Sequence, residues 1–383
     1  MTVPSRGDAR ALLHGLVRHD SRNPSLCPGA RGEGPIAAWL AEVLTHWGMD
    51  VELQPVAEGR HNVVARLGAG RPGRSLMFNG HLDVVDVGQM AHAPFDAFID
   101  GDRMYGRGTS DMKGGVAAMC AAAARVADRV NGPLIIASVV DEEYESLGTR
   151  ALIASGVRAD AAVVTEPTRL AIGPAHRGFT WVEFQFTGVA AHGSRYDLGI
   201  DAVAHAAALM TELVDLDATQ LKTRHHPLLG HPSLHGATIA GGTGWSTYPD
   251  RCVLRIERRT LPGESTADVL AEFERACDAV RARIPTLAVT LRHVLTQDPS
   301  DVSPEAPIVK SLGTALAAAT LPAPVAGVSA WTDAALLNTA GIPAICFGPG
   351  DMGLAHADEE YVSLDEVDHA TDVLARLAID WTA

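Results

Sequence analysis

The stretch Leu134 to Val140 is a continuous apolar run rich in β-branched residues, and it ends abruptly in three acids, Asp141-Glu142-Glu143. A strand of this kind has no face suited to water, so it belongs inside a sheet covered on both sides, and the cover that goes with parallel strands is helical. The flanking sequence supplies that cover. Asp8 to Val17 and Pro35 to Trp47 repeat apolar residues at helical spacing, as do Val116 to Val130 and Leu147 to Ser155. Met49 to Leu53, Asn62 to Leu67, Ser75 to Phe78 and Ala161 to Thr165 read as strands. The alternation predicts an α/β domain built on a mixed, mostly parallel sheet, with its chemistry gathered at the strand C-termini.

The rhythm changes after Gly178. Phe179 to Phe186 alternates like a half-exposed strand, followed by a helix (Ile200 to Leu216), two strands (Leu234 to Ala240, Cys252 to Arg258), a helix (Thr266 to Arg283) and a strand (Leu287 to His293). This β-α-β-β-α-β order is that of a ferredoxin-like α+β sandwich, a four-stranded antiparallel sheet with two helices on one face. The α/β rhythm returns with Ile308 to Ala319, Ala344 to Phe347 and Leu364 to Asp380. Residues 178–296 are therefore expected to form a domain inserted into one made of 1–177 and 297–383, two domains being the natural expectation for 383 residues.

Several strand ends carry groups suited to chemistry. Leu76-Met-Phe-Asn-Gly80 runs into His81-Leu-Asp83, an imidazole and a carboxylate two residues apart, which is a common pairing of a metal ligand with the group that orients it. Three adjacent carboxylates at 141–143 repel one another unless cations hold them. Val163-Val-Thr-Glu166-Pro167 is another strand ending in an acid, and Leu354-Ala-His356 follows a strand and a Gly-Pro-Gly turn. Between them lies Gly106-Arg-Gly-Thr-Ser-Asp111-Met-Lys-Gly-Gly115, a carboxylate fenced by four glycines before an Ala-rich helix pattern. Glycines crowd a turn where the backbone takes unusual dihedrals or something approaches closely, and the start of a helix favours an anion or a metal-bound carboxylate. Taken singly, each motif is an ordinary cap or loop. Jointly, His81, Asp111, Glu143, Glu166 and His356 are nitrogen and oxygen ligands suited to zinc, manganese or cobalt, and they read as a two-metal site.

Composition narrows the partners. The formal net charge is −15, with no basic run longer than Arg258-Arg259, which argues against nucleic acid or an anionic membrane and for a small-molecule or peptide substrate. Five scattered cysteines without C-x-x-C spacing give neither a disulfide framework nor a thiolate zinc site. Met1 to Pro24 lacks the apolar core of a signal peptide, and the longest apolar run, Val116 to Ala124, is too short to span a bilayer, so a cytoplasmic protein is expected.

The motifs Gly80-His-Leu-Asp83, Gly106-Arg-Gly-Thr-Ser-Asp-Met-Lys-Gly114, Asp141-Glu-Glu143, Thr165-Glu-Pro167 and Ala355-His356 together resemble those of the metallopeptidase family of acetylornithine deacetylase, succinyl-diaminopimelate desuccinylase, aminoacylase and glutamate carboxypeptidase. The resemblance covers nearly the whole chain. It implies that His81, Asp111 and Glu166 hold one metal and Asp111, Glu143 and His356 the other, with Asp111 bridging. It also implies that Asp83 orients His81 and that Glu142 is the unliganded general base. In the insertion, Ala191-His192-Gly-Ser-Arg195 is similar to the family motif whose histidine crosses a homodimer interface to stabilise the oxyanion in the partner's site; on pattern alone His192 is a turn residue. Arg259 matches the family arginine that grips a substrate carboxylate, while Arg258, on the opposite face of the strand, is expected to be a surface charge. Ser246 stands where the family usually carries an asparagine, a departure in the substrate contacts of the lid. The His225-His226 pair and His231 are expected to be surface residues without acid partners.

The expected activity is hydrolysis of an N-acyl amino acid or similar carboxylate-bearing amide by water activated on two metal ions. A dipeptidase or carboxypeptidase with the same site is the near alternative, and a non-catalytic metal-holding protein is the alternative of another class.

Overall fold

The computed structural model describes residues 2–383, which divide into two compact units, one comprising residues 2–175, Val302–Val328 and Thr332–Ala383, the other His176–Asp301 and Ser329–Trp331. In the first unit a six-stranded sheet runs in the order Asp50–Ala57, Arg60–Leu67, Leu134–Val139, Leu76–His81, Ala161–Val164, Ala344–Cys346. The last four strands are mutually parallel, and the first two are added antiparallel at one edge. Every residue of the four parallel strands is buried, as a sheet covered on both faces requires. Because these strands share a direction, their C-terminal ends lie along one border of the sheet: His81 closes one strand, and Asp141, Glu166 and Phe347 each follow another within two residues.

The helix Gly114–Val126 is buried at every residue but Arg125, and it packs against the helices Ala9–Val17 and Leu364–Trp381. Its small side chains let it lie close to the sheet. A Cβ built on Gly115 would sit 1.9 Å from the carbonyl oxygen of Thr165, so only glycine lets the head of this helix pass the end of that strand. Among the elements that escape the sequence pattern are a small three-stranded sheet of Phe98–Asp100, Arg103–Tyr105 and Tyr361–Ser363, and the short helix Ala334–Thr339. Among the described residues no helix is long and apolar enough to cross a membrane.

The second unit is an antiparallel sheet ordered Ser233–Gly241, Arg251–Thr260, Gly178–Thr187, Ala288–Gln297, with the helices Ala202–Thr219 and Thr266–Arg283. This is the ferredoxin-like arrangement. Its core is made by alternate residues of the central strands (Val182, Phe184, Phe186; Cys252, Leu254, Ile256) meeting Leu209, Leu213, Val269 and Phe273 of the helices. The same alternation corrects the expectation for Arg258. It continues the inward row, so it is fully buried, with its guanidinium on Glu264 and Glu272. The face opposite Arg259 is the helix-covered one, and charge alone is no guide to exposure when two carboxylates wait inside.

Candidate metal centre

Five side chains converge: His81, Glu143 and Glu166 from the ends of parallel strands, Asp111 from the turn Thr109–Lys113 and His356 from the loop after Ala344–Cys346. His81 Nε2 lies 3.1 Å from Asp111 Oδ1 and 4.0 Å from Glu166 Oε1. His356 Nε2 lies 3.4 Å from Asp111 Oδ2 and 3.1 Å from Glu143 Oε2. Asp111 thus turns one oxygen to each histidine. Two triplets of potential ligand atoms result, His81/Asp111/Glu166 and Asp111/Glu143/His356, each with its atoms within 4.8 Å of one another. Glu142 belongs to neither triplet but stands beside them, its Oε2 3.8 Å from His81 Nε2.

The electrostatics are those of carboxylates crowded out of water. Burial first, and then neighbouring acids, push Glu142 and Glu166 well above the ordinary carboxylate range and Glu143 upward, with the histidines opposing. Burial works against the Asp111 charge too, yet hydrogen bonds from His356 and His81 hold that group well below its usual value. Hydrogen bonds to Asp111 and Glu143 push His356 up to about 10. Glu143 Oε1 is buried without a hydrogen-bond partner, an unsatisfied acceptor on a side chain of the cluster. Oxygen and imidazole donors in two triplets, one shared carboxylate and one orphaned carboxylate oxygen fit a pair of divalent cations of the borderline to hard class.

The profile of peptidase family M20/M25/M40 matches residues 77–380. The chain belongs to this family of hydrolases. Among M20 relatives, the acetylornithine deacetylase of Vibrio campbellii is 28% identical over 379 residues, covering 97% of each chain. That of Edwardsiella ictaluri is 29% identical over 351 residues, covering 89% of this chain and 88% of its own. The M20 fold is shared with a metallo-carboxypeptidase of Sulfolobus solfataricus (TM-score 0.81, 17% identity, 98% of this chain and 99% of the other). It is shared also with human carnosine dipeptidase 1 (TM-score 0.80, 17% identity, 98% and 96%) and with a dinuclear metal binding peptidase of Bacillus subtilis (TM-score 0.72, 14% identity, 98% of each).

What holds these side chains in place is largely outside the sequence motifs. Asp83 touches His81 through its backbone carbonyl, 2.9 Å from Nδ1, while its carboxylate is 3.7 Å away and instead accepts the backbone N–H groups of Glu142 and Glu143 at 3.2 and 3.1 Å. Of the three consecutive acids only two face the cluster: Asp141 turns into the protein and pairs with Arg60 at 2.8 Å, so the cation that relieves this carboxylate is a side chain. Glu360 accepts from the backbone N–H groups of Gly108, Ser110 and Asp111 at 2.9 to 3.1 Å and from Arg107 at 2.7 Å. The anion expected at the glycine-rich turn is therefore a carboxylate from near the other end of the chain. Gly108, at φ 82°, takes there a left-handed conformation that favours glycine. No sequence pattern singled out Glu360, Arg60 or Glu33; a cation at the head of an apolar strand, as at Arg60, was the available signal for a buried ion pair.

The remaining candidates lie in the second unit. His192 is exposed on a loop bridged to Thr247, with Nδ1 2.9 Å from Ser194 Oγ, and Ser246 accepts from the Gly193 N–H at 2.7 Å, so the two residues are neighbours. Arg259 stacks over Phe179 at 5.3 Å and donates through Nε to Glu257 at 2.6 Å. His231 is exposed, but His226 is largely buried and 3.5 Å from Asp301, so the expectation that this histidine lacked an acid partner is corrected; the partner sits 75 positions away in the chain and leaves no local mark.

Proposed function

We propose that this M20 protein removes the acyl group from an N-acyl amino acid or a similar small amide bearing a carboxylate. The observation that carries the reading is the pair of ligand triplets sharing Asp111, with a carboxylate beside them that belongs to neither. His81, Asp111 and Glu166 would hold one divalent ion and Asp111, Glu143 and His356 the other, zinc before cobalt or manganese. When bound, such a pair supplies Lewis acidity to the scissile carbonyl and makes water nucleophilic at neutral pH. Glu142 takes the proton from the attacking water and returns it to the departing nitrogen, a task suited to a buried carboxyl with raised proton affinity. Asp83 fixes the Glu142 and Glu143 backbone while its carbonyl sets the orientation of His81.

In the same reading Arg259 binds the substrate carboxylate through its Nη groups, since its Nε is on Glu257. Ser246 contributes to the substrate pocket, and His192 acts as oxyanion donor in a homodimer joined through the inserted unit. Near full-length similarity to acetylornithine deacetylases favours a deacylase over a dipeptidase, since the dipeptidase likeness is one of fold. A protein that merely stores metal has no need of Glu142 beside closed ligand sets. The test is reconstitution of chelated protein with zinc, cobalt or manganese, followed by a hydrolysis screen over acyl-amino acids and dipeptides. About two equivalents per chain and preferential acyl-amino acid cleavage are expected; full activity without metal refutes the mechanism.

A further inference from the structure

The turn that presents Glu142 and Glu143 is held by a buried charge network of which the motifs contain Asp83 and Asp141 but not Asn23, Glu33 or Arg60. Asp141 sits at φ 69°, a left-handed conformation uncommon for a residue with a side chain, and is fully buried. Three successive backbone N–H groups are each taken by a buried carboxylate from elsewhere: Asp141 by Glu33 at 3.1 Å, Glu142 and Glu143 by Asp83. The Asp141 carboxylate in turn accepts from the N–H groups of Glu145 and Leu147 at 3.3 and 3.4 Å, closing the far side of the turn. Asn23 bridges Asp83 and Asp141 at 2.8 and 3.1 Å.

Glu33, Asp83, Asp141, Asn23 and Arg60 are all buried, and Arg60 is the cation among them. Its guanidinium forks onto both oxygens of Glu33, with Nε 2.7 Å from Oε2, and reaches Asp141 with Nη1 at 2.8 Å. Without that charge, carboxylates packed side by side out of water repel one another, and the turn they hold has no reason to keep a left-handed residue at its head.

We infer that Arg60, acting with Glu33 through Asp141, is a positioning residue for the proposed base and ligand: it touches neither substrate nor metal, and it sets where the Glu142 and Glu143 side chains stand. The inference rests on the roles given above to Glu142 and Glu143. A planar fork that meets two carboxylates at once cannot be replaced by a point charge, so lysine is expected to restore only part of the function. Loosening the turn shifts both side chains together, and a misplacement of about an ångström at a catalytic group costs on the order of a hundredfold in rate.

The test uses the full chain with Arg60→Met, Arg60→Lys, Glu33→Gln and Asp141→Asn, each compared with wild type at a temperature where circular dichroism shows it folded. Three measurements are made: zinc equivalents retained against a graded chelator, kcat and KM separately, and deuterium uptake of the peptide spanning 141–147 without metal. Arg60→Met is expected to lower kcat about a hundredfold with KM changed less than about threefold, and to weaken the ion of the Asp111/Glu143/His356 triplet about tenfold. It is also expected to speed exchange at 141–147, with Arg60→Lys intermediate. A purely structural role would lower the unfolding temperature and leave kcat, metal retention and local exchange of the folded protein at wild-type values, and that result overturns the inference. If Arg60→Met does not fold, Glu33→Gln and Asp141→Asn decide on the same criteria, because each keeps side-chain volume while removing a charge that Arg60 pairs. A wild type that binds no second ion, or an undiminished Glu142→Gln enzyme, would overturn the proposed function instead, and exchange at 141–147 would still report on the network.

Discussion

Replacing Glu360 by glutamine tests how the Asp111 loop is held. The carboxylate receives four donors, two on each oxygen: Arg107 and the Gly108 N–H on Oε2, and the Ser110 and Asp111 N–H groups on Oε1. Glutamine keeps one acceptor oxygen and turns an NH2 toward the other pair of donors, so two charge-assisted hydrogen bonds are lost and the Arg107 charge is stranded. Net losses of about 1.5 to 3 kcal/mol for a hydrogen bond to a charged group, and about 3 to 5 kcal/mol for breaking one side of a buried ion pair, overlap here because they count the same contacts. The expected destabilisation of this unit is therefore about 3 to 5 kcal/mol. Arg107 has little to fall back on, with Nε already buried and unpartnered and one contact to the Ala357 carbonyl. Urea unfolding of wild type and variant, monitored by a probe in the first unit, gives the difference, and zinc retention measures how far Asp111 is loosened. A loss below about 1 kcal/mol would show that the loop keeps its shape without Glu360, and the reasoning from its four donors would fail.

Glu142→Gln is expected to lower kcat at least about a hundredfold with two ions still bound, whereas Glu143→Gln should lose one ion; equal metal contents in the two variants would mean that ligand and base are confused. Arg259→Ala should raise KM about ten- to a hundredfold for substrates with a free carboxylate and little for their amides, and an equal loss for both places the carboxylate pocket elsewhere. Mixing inactive His192→Ala and Glu142→Gln chains should restore part of the activity in the heterodimer if His192 acts across subunits, since one of the two sites then has both groups intact. Burial pushes His176 down to about 4, so the unfolded chain takes up its proton first; stability from this group is full above about pH 6.5 and is lost as pH falls toward 4, about 3 kcal/mol in all. His176→Gln should remove that slope relative to wild type, the comparison cancelling the opposite trend of Glu33, which burial raises to about 7.

Local pattern revealed the elements of both sheets because burial on both faces, or on alternate residues, writes itself into consecutive positions. Leu134 to Val140 and Phe179 to Phe186 are strands for those two different reasons. The converging side chains were legible too: His81, Glu143 and Glu166 follow parallel strands that end on one side, and Asp111 and His356 stand in glycine-marked turns. The supports were not. Glu360 meets Gly108 across 252 positions and Arg60 meets Glu33 across 27, and a contact made by folding carries no period in the sequence. The same holds for Arg258, whose burial depended on two acids in the segment that follows, and for Asp141, which reads as a twin of Glu142 and Glu143 but faces the other way.

The order of the donors along the chain bears on how the centre comes into being during synthesis. His81, Asp111 and Glu166 all precede the inserted unit, whereas His356 follows it. A chain emerging from the ribosome therefore has one donor triplet complete in sequence before the insertion is made, and the second only when nearly the whole protein is out. Glu360, which fastens the Asp111 loop, and the strand Ala344–Cys346 at the sheet edge arrive equally late. Under the proposed function, an ion taken up early would meet Asp111 before its loop is fastened, and the segment from Ala344 onward would complete the second set of donors.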